Sequence, residues 1–263
     1  MSDFLDEMAR ASRARACTLH SATLRAAAER AAPPLPLALG AFGVVAEIKP
    51  RAPSAGVLAR ADLASCVARA EAYARGGAAC VSVLTEPTRF DGSNELLAAI
   101  AGALRSHGVG AMRKDFLVDP LQVVEARALG ASGVLLITRM LDDARLGEML
   151  EVARTLGLFA LVEAFDERDL ARSVKVIGSG RTGVFVGVNC RDLATLAIDR
   201  TRLTQLALPE EIDVVAESGI EGPEHVPEIV RAGYRGALIG TALMRASDPS
   251  AALRAITEAA SCT

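Results

Sequence analysis

From residue 44 onward, short apolar runs rich in Val, Ile and Leu alternate with stretches of helical periodicity. The runs are VVAEIK (44–49), ACVSVL (79–84), GAMRKD (110–115), GVLLIT (133–138), FALVEA (159–164), VFVGVN (184–189), DVVAES (213–218) and GALIG (236–240). Their near-continuous apolar character predicts parallel strands buried on both faces. Helix signals lie between them. Asp62 stands as a cap before Leu63, Cys66, Val67 and Ala70, and Gly76-Gly77 stops the pattern. Asp119-Pro120 reads as N-cap and first helical position, with Gly130 as the stop. Leu146, Met149, Leu150 and Ala153 form an i, i+3, i+4, i+7 stripe ending at Gly157, and Val226, Ile229 and Val230 precede Gly233.

Eight strand–helix units over about 215 residues are the arithmetic of a (β/α)8 TIM barrel. The competing architecture is a doubly wound open sheet, whose dinucleotide-binding form carries GxGxxG directly after a strand; no candidate strand here is followed by one. Residues 1–43 fall outside the count. They read as amphipathic helix followed by the linker APPLPLALG, an N-terminal helical extension capping a barrel over 44–263, one domain overall.

Composition narrows the function. The 263 residues are 51% hydrophobic and 23% charged, with a net charge of −3, which suits a globular enzyme and gives no basic footprint for nucleic acid. Aromatics make up 3% and Trp is absent, so no stacking platform for single strands is expected. Cys17, Cys66, Cys80, Cys190 and Cys262 are scattered and odd in number, and no CxxC occurs, which predicts reduced thiols in a cytoplasmic protein. His20, His107 and His225 are far apart, so no metal site is expected. The start MSDFLDEMARASRAR lacks the apolar core of a secretory signal, and no run of 18 apolar residues predicts a membrane span.

In a barrel the chemistry sits at the C-terminal strand ends. Charges there need explaining, because buried strand positions favour apolar side chains. The first strand ends in Glu47-Ile48-Lys49, whose acid and base share a face. The second ends in Thr85-Glu86, the third in Arg113-Lys114-Asp115, and the fifth carries Glu163. The sixth ends in Asn189-Cys190-Arg191-Asp192 and the seventh in Glu217-Ser218. Such charge on so many strand ends around one rim reads as acid–base catalysis more readily than as structural ion pairing. Ser218-Gly219-Ile220 and Gly240-Thr241 are small and glycine-rich, at the two strand ends where barrels bind phosphate. Lysines and glutamates beside a phosphate site point to proton transfer on an organic phosphate, with a Schiff-base lysine as the covalent alternative.

The segments VVAEIKPRAPSAG, CVSVLTEPTRFDGS, MRKDFLVDPLQVVEARALGASGVLLI, LVEAF, VGVNCRDLATLAID, VVAESGI and LIGTALM resemble indole-3-glycerol phosphate synthase, in the family's order, over about residues 44–245. The resemblance implies a decarboxylating, dehydrating lyase of tryptophan biosynthesis. Such an enzyme closes the ring of 1-(2-carboxyphenylamino)-1-deoxy-D-ribulose 5-phosphate without metal or organic cofactor. It implies Lys114 as general acid on the ribulose C2 carbonyl, Glu163 as general base in the dehydration and Lys49 as the second catalytic lysine. Glu47 and Glu217 would orient the lysines and meet substrate hydroxyls, and Asn189 and Arg191 match the NxR pair. Ser218, Gly219, Gly240 and Thr241 match the phosphate clamp, Ser54 a loop serine, and Phe90 and Phe116 the walls around the anthranilate ring. The chain departs from the family pattern at Ala52, where a serine is usual, and at Phe165, where histidine is frequent. These departures leave two alternatives open. One is a paralogous lyase or isomerase on a related aryl-amino sugar phosphate in secondary metabolism; the other is a phosphate-binding barrel without turnover. The expected partner is a small sugar phosphate, with no nucleic acid and no membrane. The expected state is a monomer, with room for association with other tryptophan-pathway enzymes.

Overall fold

The computed structural model of the chain describes residues 3–52, 56–57, 62–179, 182–192, 195 and 197–261. All eight expected strands form, within a residue or two of their predicted limits: β1 (Gly43–Ile48), β2 (Cys80–Leu84), β3 (Gly110–Lys114), β4 (Gly133–Ile137), β5 (Phe159–Ala164), β6 (Val184–Asn189), β7 (Val214–Glu217) and β8 (Gly236–Ile239). Each pairs in parallel with its sequence neighbour, and β8 closes on β1 through Gly43↔Gly236 to Ala46↔Ile239, completing the (β/α)8 barrel. Every residue of β1, β2 and β5 is buried, as strands covered inside and outside must be.

The helices start where their caps predict. Asp62 accepts from Ser65 N at 2.9 Å to begin α3 (Leu63–Arg75), and α4 (Asn94–Leu104) follows β2. Asp119 and Gln122 form a capping box for α5 (Pro120–Ala128). In α6 (Asp143–Thr155) the predicted stripe Leu146, Met149, Leu150 and Ala153 is buried throughout. The remaining helices are α7 (Glu167–Ile177), α8 (Thr201–Gln205), α9 (Val226–Arg231), α10 (Thr241–Arg245) and α11 (Pro249–Ser261). A GxGxxG does occur at 178–183, but it follows α7 and precedes β6, the reverse of the dinucleotide order. Among the described residues no helix is long and apolar enough to cross a membrane. Among the described residues, Cys17, Cys66, Cys80 and Cys190 form no disulfide.

The N-terminal segment covers both ends of the barrel. In α1 (Asp3–Ala16), Leu5, Met8, Ala9, Ser12 and Ala16 are buried at helical spacing. Ser12 meets Gln122 of α5, whose Nε2 donates to Ser12 Oγ at 2.9 Å. After α2 (Ser21–Arg30), the linker runs beneath the N-terminal ends of the strands. Leu35 N donates to Ser132 Oγ at 3.0 Å, and buried Leu39 packs against Gly43 at the start of β1 so closely that a Cβ there would overlap it. The linker is the floor of the barrel, and α1 reaches the opposite mouth.

Candidate active site

Strand alternation sorts the charged ends into two sets. On β3, Lys114 turns into the barrel and Arg113 turns out to the helical layer, while Asp115, just past the strand end, lines the cavity edge. Arg113 Nη1 reaches Glu125 of α5 at 2.6 Å, and Asp115 Oδ1 takes Arg15 of α1 at 2.7 Å. Thr85 Oγ1 donates to Asp115 Oδ2 at 2.8 Å, and Glu86 caps its own loop by accepting from Thr88 and Arg89 backbone N–H groups. The reading that all these charges serve one rim is therefore corrected for Thr85, Glu86 and Arg113, which do not line the cavity, whereas Asp115 lines it with its carboxylate already paired to Arg15 and Arg113. Their partners lie in helices and loops, and they fasten α1 and α5 to the ends of β2 and β3.

The inward set lines a cavity of about 710 Å³ at the C-terminal mouth. Glu47, Lys49, Phe90, Lys114, Phe116, Glu163, Asn189, Arg191, Glu217, Ser218, Gly219, Gly240 and Thr241 all face it. Of the residues singled out in the sequence, Ser54 lies outside the described residues.

Three carboxylates and two lysines are packed into the base of this cavity. Lys49 Nζ binds Glu47 Oε2 at 2.5 Å, and Lys114 Nζ stands 3.8 Å from Glu163 Oε2. Asn189 Nδ2 donates to Glu163 Oε1 at 2.6 Å, and its own Oδ1 accepts from Arg191 N at 2.9 Å. Glycine makes room for two of the acids. A Cβ at Gly187 would fall on Glu217 Oε1, and one at Gly240 on Glu47 Oε2. Burial alone would push the Glu47 carboxyl up, but the charges of Lys49 and Lys114 outweigh it and hold it below the usual carboxylate range. Burial likewise disfavours the Lys114 ammonium, yet the surrounding carboxylates, Glu163 foremost, raise it above an ordinary lysine. Lys114 is thus held charged, as a donor to a developing oxyanion must be.

The two ends of the cavity differ in character. On one side Phe116 stacks edge-on to Phe4 of α1 at 5.7 Å between centroids and lies 6.0 Å from Phe90. Leu84, Leu135 and Ile137 continue this apolar wall. Phe4 was not legible as a site residue, because on α1 its spacing from Met8 reads as ordinary core. On the other side Ser218 (φ 68°) and Gly219 (φ 74°) are consecutive left-handed residues beside Gly240, which precedes α10. Both residues line the cavity, so this turn brings backbone N–H groups to its edge, where an anionic group can be met. A Cβ at Gly219 would strike Arg200 and crowd Cys190, so glycine is required there twice over, by conformation and by space. Phe165, the departure directly after β5, does not line the cavity; it is buried beneath Arg139, whose guanidinium lies 4.7 Å from the ring centroid.

Among solved structures the chain resembles 3-hexulose-6-phosphate synthase from Salmonella typhimurium, with a TM-score of 0.64 at 14% identity over 84% of this chain and 99% of that one. It also resembles a thiamine phosphate pyrophosphorylase from Pyrococcus furiosus, with a TM-score of 0.61 at 16% identity over 84% of this chain and 96% of that one. At such identities the likeness is one of fold. Sequence relatives are nearer. An indole-3-glycerol phosphate synthase of a Nocardioides species is 47% identical over 216 residues, covering 81% of this chain and 79% of the relative. That of Mycobacterium leprae is 40% identical over 248 residues, covering 91% and 87%. The family model for indole-3-glycerol phosphate synthase matches residues 19–256, and the chain belongs to that family.

Proposed function

We propose that this cavity closes an indole ring. 1-(2-Carboxyphenylamino)-1-deoxy-D-ribulose 5-phosphate enters, and indole-3-glycerol phosphate, carbon dioxide and water leave. The observation that carries the reading is the convergence of two ammonium groups and one Asn-oriented carboxylate between an aromatic wall and a glycine-rich turn. The substrate has the same order of parts: arene, amino-ribulose chain, phosphate.

In this reading Phe4, Phe90 and Phe116 hold the anthranilate ring, and the backbone around Ser218, Gly219, Gly240 and Thr241 holds the phosphate. Arg191 lies along the sugar chain. Lys114 gives its proton to the C2 carbonyl oxygen as the carboxylate-bearing ring carbon bonds to C2. The carbon–carboxylate bond then breaks, its electron pair restores the arene, and carbon dioxide departs. In the dehydration Lys49, steadied by Glu47, protonates the leaving C2 hydroxyl, while Glu163 takes a proton from the amino-methylene unit. Two protons leave the lysines and one arrives on Glu163, so each turnover takes up one proton from solvent. Holding the ring carbon over C2 from both ends contributes several kcal/mol of the acceleration, about what oriented intramolecular reactions gain.

Residues 1–43 form one domain with the barrel in this reading, since α1 supplies Phe4 to the wall and Arg15 to Asp115. The unit acts as a cytoplasmic monomer on a small sugar phosphate and needs no association with other tryptophan-pathway enzymes for its chemistry. Product analysis tests the assignment. One indole-3-glycerol phosphate and one carbon dioxide per substrate consumed are expected; an isomer that retains the carboxylate would overturn it.

A further inference from the structure

Glu217 differs from the other acids of the cavity. It is 1% exposed, and neither carboxyl oxygen has a hydrogen-bond partner. Glu47 is spent on Lys49 at 2.5 Å, and Glu163 holds Asn189 at 2.6 Å with Lys114 3.8 Å away. The strands beside β7 offer Glu217 no close donor. Its register neighbours are Asn189, whose amide is committed to Glu163, and apolar Leu238, and its Oε1 lies against the bare backbone of Gly187. The charged groups facing it from the other strands are Glu163, Lys114 and Glu47. Three buried carboxylates thus share the two lysines, and a third buried charge without a cation of its own is costly.

We propose that Glu217 rests as the neutral carboxylic acid and presents its O–H into the cavity as a hydrogen-bond donor. Electrostatics agrees with the geometry: burial drives the group up, Glu163 and Glu47 drive it further, and the opposing pull of Lys114 does not win. A neutral acid here does what a carboxylate cannot, since an ionised carboxyl only accepts. On the functional reading above, on which this part rests, the O–H meets an oxygen of the ribulose chain, and the cluster keeps a net charge that tolerates a doubly ionic substrate.

Infrared spectra of the free, full-length protein with ¹³C-labelled glutamate carboxyls test the protonation at neutral pH. A shielded C=O stretch of a protonated carboxyl is expected, absent from Glu217→Gln and converted to carboxylate bands only as pH is raised. The same band in Glu163→Gln should titrate at lower pH, because a neighbouring negative charge is gone; a merely structural Glu217 would not show that shift. A wild-type spectrum holding only carboxylate bands, or a band that survives in Glu217→Gln, overturns the proposal. Kinetics tests the donor. Gln, which keeps an N–H donor, should retain more kcat/KM than Ala, which should lose about 10–100-fold. Equal losses in both variants contradict a donor role. The infrared arm needs no substrate, so a protonated band in a protein that makes no indole would overturn the ring-closure reading alone.

Discussion

The ammonium of Lys114 stands 3.8 Å from Oε2 of Glu163, near enough for charge attraction and too far for a hydrogen bond. Both groups are buried against strands, yet neither is consumed by the other. A bound substrate can enter between them, taking a proton from one and later giving a proton to the other. The spacing predicts separable roles. Glu163→Gln should lower turnover by about 10²–10⁴-fold, the usual worth of a positioned acid or base, with substrate binding retained. Equilibrium titration with substrate and single-turnover kinetics check it. Loss of binding equal to the loss of rate would make Glu163 a binding group instead.

In the proposed reaction Asn189 acts through Glu163. Its Nδ2 fixes Oε1 at 2.6 Å and leaves Oε2 open. Asn189→Ala should lower kcat about tenfold or more with KM little changed, since it frees the base without touching the phosphate turn. A changed KM with an unchanged kcat would refute the positioning role.

Gly240 is held by Glu47. An added Cβ would fall on Glu47 Oε2 and crowd Lys49 Nζ at 3.1 Å. Gly240→Ala should therefore displace the ion pair, cost about 1–3 kcal/mol of stability as overpacking does, and depress turnover more than the fold. Urea unfolding alongside steady-state rates checks this. Full activity with unchanged stability would show that the Glu47–Lys49 geometry is not needed as described.

Glu217 also links pH to stability. Its folded carboxyl lies well above the ordinary 4.5, so its favourable contribution is complete below that value and is lost as pH rises toward the folded one. Gln does not titrate. The stability of Glu217→Gln relative to wild type should rise as pH climbs above about 4.5 toward the folded carboxyl's higher value. Urea midpoints across that range measure it; a constant difference would contradict the protonated state.

The barrel was legible because its signals are periodic and local: eight apolar runs, Asp and Gly at helix ends, and the Leu146 to Ala153 stripe all operate within one element. The inward acids and bases were legible too, because charge in a buried strand has few explanations. Three features were not. Arg113 and Asp115 flank Lys114 in sequence, and only the structure shows Arg113 turned away from the cavity and the Asp115 carboxylate, at its edge, tied to Arg15. Phe4 reaches the cavity through the packing of α1 across the mouth, a contact between residues 112 positions apart in Phe4–Phe116. The linker APPLPLALG reads as a loop by composition, yet its Leu39 seals the barrel floor, where tertiary burial decides and propensity does not.

The most direct test of the Lys114–Glu163 account is indole formation from 1-(2-carboxyphenylamino)-1-deoxy-D-ribulose 5-phosphate, followed by fluorescence with a chelator present. Absence of Trp keeps the protein's own emission low. Wild type should turn over undiminished by the chelator, and Lys114→Ala should fall by about 10²–10⁴-fold while its circular dichroism stays that of the folded barrel. A loss of less than about tenfold in folded Lys114→Ala would remove this lysine from the proton transfer and contradict the account.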